Sequence, residues 1–327
     1  MHAIWFLAFL PVFLIVLYIK PSPKKSIKGK HVVIIGGSSG IGRSTARVAA
    51  KTGAHVTIMA RNKDKLEETK KYLNSQLRSN EQIITTVSVD VSNYEDLEKC
   101  LNDVELEIGP IYMLINCAGL AICGNVEDFS LQQIKQLVDI NFLGSLYSVK
   151  AVVPKFKERQ EGIIVLTGSQ VSLMGMFGYS VYSSTKFALR GLAESLYMEV
   201  KPYNISVTLA LPPDTDTPGF ENENKTKPLE TKLISEVGGL VDPDVVAERL
   251  MQDALTGKFF SYVGMESFIL TTLCTGMSPF KRIIDVLVES ALLGLLRIIS
   301  AFYITSFESI IKKCKSEKEA SNKEKSN

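Results

Sequence analysis

Between Lys30 and Gly264, short runs of β-branched and apolar residues alternate with longer segments of helical period, and this alternation constrains the chain more than any other feature. The runs are HVVIIG (31–36), HVTIMA (55–60), QIITTVSVD (82–90), IYMLIN (111–116), GIIVLTGS (162–169) and ISVTLAL (205–211). Most are continuously apolar rather than alternating, as expected of strands covered on both faces. The segments between them predict helices over Gly40–Lys51, Lys63–Leu77, Tyr94–Glu107, Leu131–Lys157 and Tyr182–Val200. Strands joined by helical crossovers pair in parallel. The expected fold class is therefore α/β: one doubly wound, Rossmann-like parallel sheet over 30–264, with no repeat and no internal linker.

The first strand-to-helix junction reads Gly36-Gly37-Ser38-Ser39-Gly40-Ile41-Gly42. A glycine-rich turn that opens a helix brings backbone amides, and the positive end of the helix dipole, up to a pyrophosphate. The spacing departs from G-x-G-x-x-G, and a tight turn without a ligand is the plainer reading. The second strand ends in Ala60-Arg61, where an NAD enzyme usually carries Asp or Glu for the ribose 2′-hydroxyl. Arg61 and Lys65, one helical turn apart, instead suit a 2′-phosphate and so NADPH, although two solvated surface cations would look the same.

Tyr182 and Lys186 are spaced i, i+4, which stacks phenol and ammonium on one helix face. A free phenol titrates near 10, and bringing it to neutrality takes roughly 4 kcal/mol. An adjacent ammonium is expected to supply part of that by stabilising the phenolate. Such a pair arises often by chance; its weight comes from Ser169, which closes the preceding strand at the sheet edge where ligands of α/β proteins bind.

Composition removes several classes of function. Lys and Arg total 37 against 35 Asp and Glu, too even for a protein whose main partner is nucleic acid. Five scattered cysteines without a C-x-x-C pair argue against a disulfide framework and against a metal site. The three histidines lie in an apolar leader and at strand starts, which disfavours a Ser-His-Asp hydrolase.

The surplus of hydrophobicity lies at the ends of the chain. Ala3–Ile19 is free of charge and is followed by Lys20, Lys24, Lys25, Lys28 and Lys30. Residues 1–29 thus read as a membrane anchor with a basic linker, which puts the following domain in the cytosol. A cleaved signal would want a basic start and a small-residue cleavage site, and neither is present. Residues 265–311 hold two further apolar stretches, 268–277 and Ser290–Phe307, the second interrupted by Arg297. They read either as membrane contacts or as core or homodimer helices. Residues 312–327 form a basic tail expected to be disordered, and its Lys323 and Lys325 resemble a dilysine retrieval signal of the endoplasmic reticulum.

The GGSSGIG turn, Asn116-Cys-Ala-Gly119, Asn141, Ser169 and Tyr182-x-x-x-Lys186 together resemble the short-chain dehydrogenase/reductase family. The resemblance implies that Ser169 polarises a substrate oxygen and Tyr182 exchanges its proton. It implies that Lys186 binds the nicotinamide ribose and lowers the phenol pKa, and that Asn141 holds a relay water. It further implies nucleotide contacts from Gly36, Ser38, Ser39, Gly40, Ile41, Gly42, Asp90, Asn116 and Thr217. Thr217 lies in Pro212-Pro213-Asp214-Thr215-Asp216-Thr217, where proline replaces the family's usual glycine, and Cys117 replaces the commoner Asn. Residues 212–220, the helix around Gly191–Asn204 and the apolar ends resemble the branch of the family that reduces the 3-keto group of a long-chain base with NADPH. A keto-lipid substrate and a bilayer are then the expected partners, with Leu173, Met174, Met176 and Phe177 either accepting the lipid chain or packing. The competing expectations are a membrane-anchored steroid or retinoid dehydrogenase and a catalytically silent lipid-binding scaffold.

Overall fold

The computed structural model describes residues 24–236 and 239–326, with side chains through 321. The expected strands are present as β1 (His31–Ile35), β2 (His55–Ala60), β3 (Ile84–Ser88), β4 (Ile111–Asn116), β5 (Gly162–Thr167) and β6 (Ile205–Ala210). A short β7 (Phe260–Ser261) completes a parallel sheet in the order β3-β2-β1-β4-β5-β6-β7. The order reverses direction between β1 and β4, and ligands of such sheets bind at that point, beyond the carboxyl ends of the strands. Ile35 is in register with Asn116, so the turns that follow β1 and β4 lie side by side there.

Alternate residues of each strand serve opposite faces. Val33, Ile35, Leu114, Ile164 and Leu166 join one core, beneath α3 (Tyr94–Ile108), α5 (Gly144–Arg159) and α6 (Ser180–Val200). Val32, Ile34, Met113, Ile163 and Val165 join the other, beneath α1 (Gly40–Lys51) and α9 (Pro243–Thr256). Two faces buried at once explain why the strands read as continuous apolar runs. The remaining helices are α2 (Lys63–Asn74), α4 (Leu131–Leu137), α7 (Pro218–Asn224), α8 (Leu229–Ser235), α10 (Gly264–Leu273) and α11 (Ile283–Ser326).

Three departures from expectation are informative. β7 is two residues long, too short to carry a pattern. The single helix expected over Leu131–Lys157 is instead α4, a π-helical turn at Val138–Leu143, and α5. That turn contains Asn141, and π-turns within helices often mark functional positions. The tail expected to be disordered from 312 is instead the last part of α11. Lys and Glu at i, i+4 support it (Lys313–Glu317, 3.9 Å; Lys315–Glu319, 3.7 Å), and Lys318 pairs with Glu230 on α8 at 2.6 Å.

The expected N-terminal anchor, Ala3–Ile19, lies outside the described residues. Among the described residues no helix is long and apolar enough to cross a membrane. The C-terminal segment packs on the main domain: the Arg190 guanidinium of α6 donates to the carbonyl of Cys274 at 2.7 Å and to the Ser278 hydroxyl at 2.9 Å.

The turn after β1 depends on missing side chains. Gly36 has φ +79°, and a Cβ there would lie 2.6 Å from the Ala118 amide nitrogen. A Cβ on Gly42 would lie 2.1 Å from the Gly36 carbonyl oxygen, so α1 docks directly on the turn. Gly42→Ala should therefore cost about 2–4 kcal/mol in urea unfolding, because backbone rather than a flexible side chain must move. An unchanged unfolding midpoint would contradict this packing.

Candidate active site

A cavity of about 900 Å³ runs along the carboxyl edge of the sheet, from the β1–α1 turn to α10 and α11. At one end Gly36, Ser38, Ser39, Gly40, Ile41 and Gly42 line it. Ser39 occupies the cap position of α1 with extended backbone, yet its side chain makes no capping bond. The first-turn amides of α1 are thus the polar groups offered at this end of the wall. Arg61, Lys65 and Asp90 line the same end. The Arg61 side chain is 63% exposed and lies 4.0 Å from Asp90, a separation that leaves the guanidinium free to engage another anion. Burial presses the Asp90 carboxyl upward, but hydrogen bonds from the Ser92 amide and hydroxyl and the charge of Arg61 outweigh it and hold the group below its ordinary value.

At the centre, β5 ends in Thr167 and delivers Ser169, while the first turn of α6 delivers Tyr182 and, one turn later, Lys186. All three line the cavity. Lys186 is buried and its Nζ donates to the Thr167 carbonyl at 2.9 Å, lying 5.7 Å from the Tyr182 ring centre. Burial lowers the Lys186 ammonium to about 8, with the Cys117 sulfur opposing the shift.

The phenol departs from expectation. Its pKa is raised, not lowered: burial is the main cause, the Glu223 carboxylate adds to it, and the Ser169 hydroxyl pulls the other way through a hydrogen bond. Lys186 beside the phenol donates to the Thr167 carbonyl at the end of β5. A phenol held protonated is a proton donor, the role a ketone acquiring an alcohol proton needs.

Asn141 and Asn116 lie in the walls rather than on the cavity surface. Asn141 is fully buried; its side-chain amide donates to the Leu120 carbonyl (2.8 Å) and the Thr185 hydroxyl (3.0 Å) and accepts from the Leu120 amide (2.7 Å). It therefore ties the loop after β4 to α6, on the turn that carries Lys186. Asn116 accepts from the Ala118 amide at 3.0 Å and donates to Ser148 at 3.2 Å, which fixes the turn beside Gly36. Thr217 lines the cavity, caps α7 by accepting from the Phe220 amide at 3.1 Å, and packs against Gly40, where a Cβ would meet it at 2.9 Å. Of the expected lipid-contacting residues, Met174 and Met176 line the cavity and Leu173 is buried in the core. The Phe177 carbonyl accepts from the Thr231 hydroxyl of α8.

Sequence reasoning missed a second polar group beside Tyr182. Tyr179, whose ring centre lies 5.5 Å from that of Tyr182, donates its hydroxyl proton to Glu223 on α7. Lys227 lies 2.9 Å from Glu223 and 3.6 Å from Asp214. The i, i+3 spacing of Tyr179 and Tyr182 was a signal; the approach of α7, which comes from a distant part of the chain, was not. The far end of the cavity is also new: Leu270 and Leu273 of α10 and Arg297, Tyr303, Ile304 and Phe307 of α11. Among the described residues no group of three or more His, Cys, Asp or Glu side chains is placed to hold a metal ion.

The lowered Lys186 predicts a pH signature. The folded chain binds this proton less tightly than the unfolded chain, whose lysine titrates near 10.5, so wild-type stability gains as pH rises from about 8 toward 10.5. Lys186→Met lacks that gain. In urea unfolding, the stability of the variant relative to wild type should fall steadily across this window; a pH-independent difference would place the lysine in a water-like setting.

Known proteins agree with this geometry. The family profile described as short chain dehydrogenase matches residues 30–228. The 3-ketodihydrosphingosine reductase of Bos taurus is 45% identical over 317 residues, covering 95% of each chain. The 3-dehydrosphinganine reductase of Danio rerio is 45% identical over 318 residues, covering 95% of this chain and 96% of its own. In fold, the chain is similar to levodione reductase, with a TM-score of 0.67 at 22% identity over 74% of this chain and 99% of the other. By the profile and these relatives, the chain belongs to the short-chain dehydrogenase/reductase family.

Proposed function

We propose that this chain is an NADPH-dependent reductase of the 3-keto group of 3-ketodihydrosphingosine, working at the endoplasmic reticulum membrane with its catalytic domain in the cytosol. The observation that carries the reading is the placement of Ser169, Tyr182 and Lys186 together on the wall of one cavity that continues past the nucleotide end to an apolar wall. The two relatives above, named for this reduction and matched along nearly their whole length, support the substrate class.

The residues present fit a phosphorylated dinucleotide. The uncapped start of α1 suits a pyrophosphate, and Arg61 with Lys65 suits a 2′-phosphate, with no carboxylate at the end of β2 to repel it. Lys186 sits where it would bind the nicotinamide ribose, and Thr217 borders the same space. When bound, the nucleotide supplies a hydride to the carbonyl carbon. The chain's own residues do the rest: Ser169 donates a hydrogen bond to the carbonyl oxygen, and Tyr182 passes its proton to that oxygen as negative charge develops on it. Lys186 presents a positive charge near the resulting phenolate, and Asn141 keeps α6 in position through Thr185.

Membrane association is supported by the distribution of exposed apolar side chains. Leu293, Leu295, Ile298, Phe302 and Ile304 of α11, together with Met277 and Phe280 ahead of it, lie open beside the helix that forms the cavity's far wall. Exposed apolar side chains in this number support α11 and the segment before it as a surface for contact with a bilayer. A lipid substrate partitioned in a bilayer would then meet the cavity without crossing water.

The purified chain in detergent should oxidise NADPH when given 3-ketodihydrosphingosine, and much more slowly with NADH. Turnover of a steroid ketone without turnover of the keto-lipid would overturn the substrate assignment. Tyr182→Phe should lower kcat by about 10³-fold while leaving NADPH binding nearly intact. Arg61→Ala should weaken NADPH by about 10-fold or more and NADH little. Equal losses for both nucleotides would remove the phosphate-reading role. In sealed microsomes, added protease should cleave the catalytic domain, whereas protection would overturn its cytosolic placement.

A further inference from the structure

The acidic groups near Tyr182 are incompletely paired. Asp214 and Glu223 both line the cavity, while Lys227, the cation paired with them, is absent from its wall and buried behind them with its side chain 1% exposed. Burial pushes the Asp214 carboxyl up, the charge of Lys227 opposes this and that of Glu223 adds to it, so two carboxyl groups share one ammonium and a further cation would relieve them. All recorded contacts of the Glu223 carboxylate, from Tyr179 and from Lys227, run to Oε1. Among the described residues Oε2 has no recorded partner and remains able to accept.

Position points the same way. Four carboxylates line the cavity: Asp90, Asp214, Glu223 and Glu266. Asp90 is held by Ser92 near Arg61, and Glu266 is exposed on α10. Glu223 and Asp214 are the ones whose charge acts on the Tyr182 phenol. They therefore lie within electrostatic range of the point where the carbonyl oxygen receives its proton. A long-chain 2-amino ketone carries its amine on the carbon adjacent to that carbonyl.

We infer that Glu223, steadied by Tyr179 and Lys227 and assisted by Asp214, is the specificity-determining residue that receives the substrate's ammonium group. The inference rests on the proposed reduction of a long-chain amino ketone and adds to it the feature by which the enzyme distinguishes that substrate from other long-chain ketones. An ammonium at Glu223 supplies that further cation. It also cancels the charge that holds the Tyr182 proton, so the correct substrate itself eases the proton transfer that completes its reduction. A ketone without the amine leaves the carboxylates unpaired, and a site left with unpaired buried groups discriminates strongly.

The test compares 3-ketodihydrosphingosine with its desamino analogue, the same chain carrying the 1-hydroxyl and 3-keto groups alone. Wild-type kcat/KM should favour the amino ketone by on the order of 100-fold, and Glu223→Gln should bring the ratio to within about threefold of unity. The substitution also removes the charge acting on Tyr182 that only the amino ketone cancels, so both of its effects move the ratio toward unity. Glu223→Asp, which keeps the charge, should restore part of the preference. NADPH binding, followed by fluorescence, reports whether each variant is folded. A second measurement needs no variant: sphinganine should inhibit wild type much more strongly than an uncharged long-chain diol of equal length. Equal wild-type turnover of both ketones, or a ratio unmoved by Glu223→Gln in a folded variant, would overturn the subsite and leave the ketoreductase reading standing. A wild-type chain that reduces neither ketone would overturn both.

Discussion

The phenol of Tyr182 is partly buried in the cavity wall, within electrostatic range of the Glu223 carboxylate, and the chemistry available at this site follows from that. Removal from solvent already disfavours the phenolate, and Glu223 adds to the penalty. The cation beside the ring, Lys186, donates to the Thr167 carbonyl at the end of β5, and burial lowers its own pKa to about 8. The result is a phenol that keeps its proton until an oxyanion forms beside it. The protonated phenol is the form that donates to a carbonyl oxygen in reduction, and the same group takes the proton back in the reverse reaction.

The fold holds these groups where they are through a small number of backbone decisions. The change of direction between β1 and β4 opens the crevice, and the glycine turn after β1 lets α1 approach it end-on. β5 and α6 then place Ser169 and Tyr182 on the same edge, while the π-turn at Val138–Leu143 brings Asn141 inward to bind Leu120 and Thr185. α7 brings Glu223 from the other side, and α10 with α11 extends the crevice into an apolar chamber. Nucleotide chemistry, proton chemistry and lipid accommodation thus occupy successive parts of one cavity.

Local patterns were legible where local physics decides them. Short, continuous apolar runs rich in β-branched residues read as strands buried on both faces, and β1, β2, β4, β5 and β6 follow, while β3 is a partly exposed edge strand. The glycine turn, Arg61 and the Ser169–Tyr182–Lys186 spacing each depend on residues close in sequence, and each reaches the cavity. Long-range electrostatics was not legible: nothing near Tyr182 in sequence reveals that Glu223 lies close to it, so the sign of the phenol's shift came out reversed. Asn141 and Asn116 illustrate a similar limit. Their polarity was evident, but that their bonds run to the chain's own backbone and to Thr185 and Ser148, rather than onto the cavity surface, depends on tertiary packing. In the tail, a solvated charge pattern concealed helix-stabilising i, i+4 pairs and the anchor from Lys318 to Glu230.

The protonation state of a single side chain carries most of this account, and it is directly observable. Carbon-13 spectra of the chain labelled at tyrosine Cζ, with no nucleotide added and with Tyr182→Phe used to assign the resonance, report the phenol as pH is varied. The account predicts that Tyr182 remains protonated through pH 10, the ordinary midpoint of a free tyrosine. A midpoint near neutrality would show that Lys186, not Glu223, governs the phenol, and would contradict the site as described.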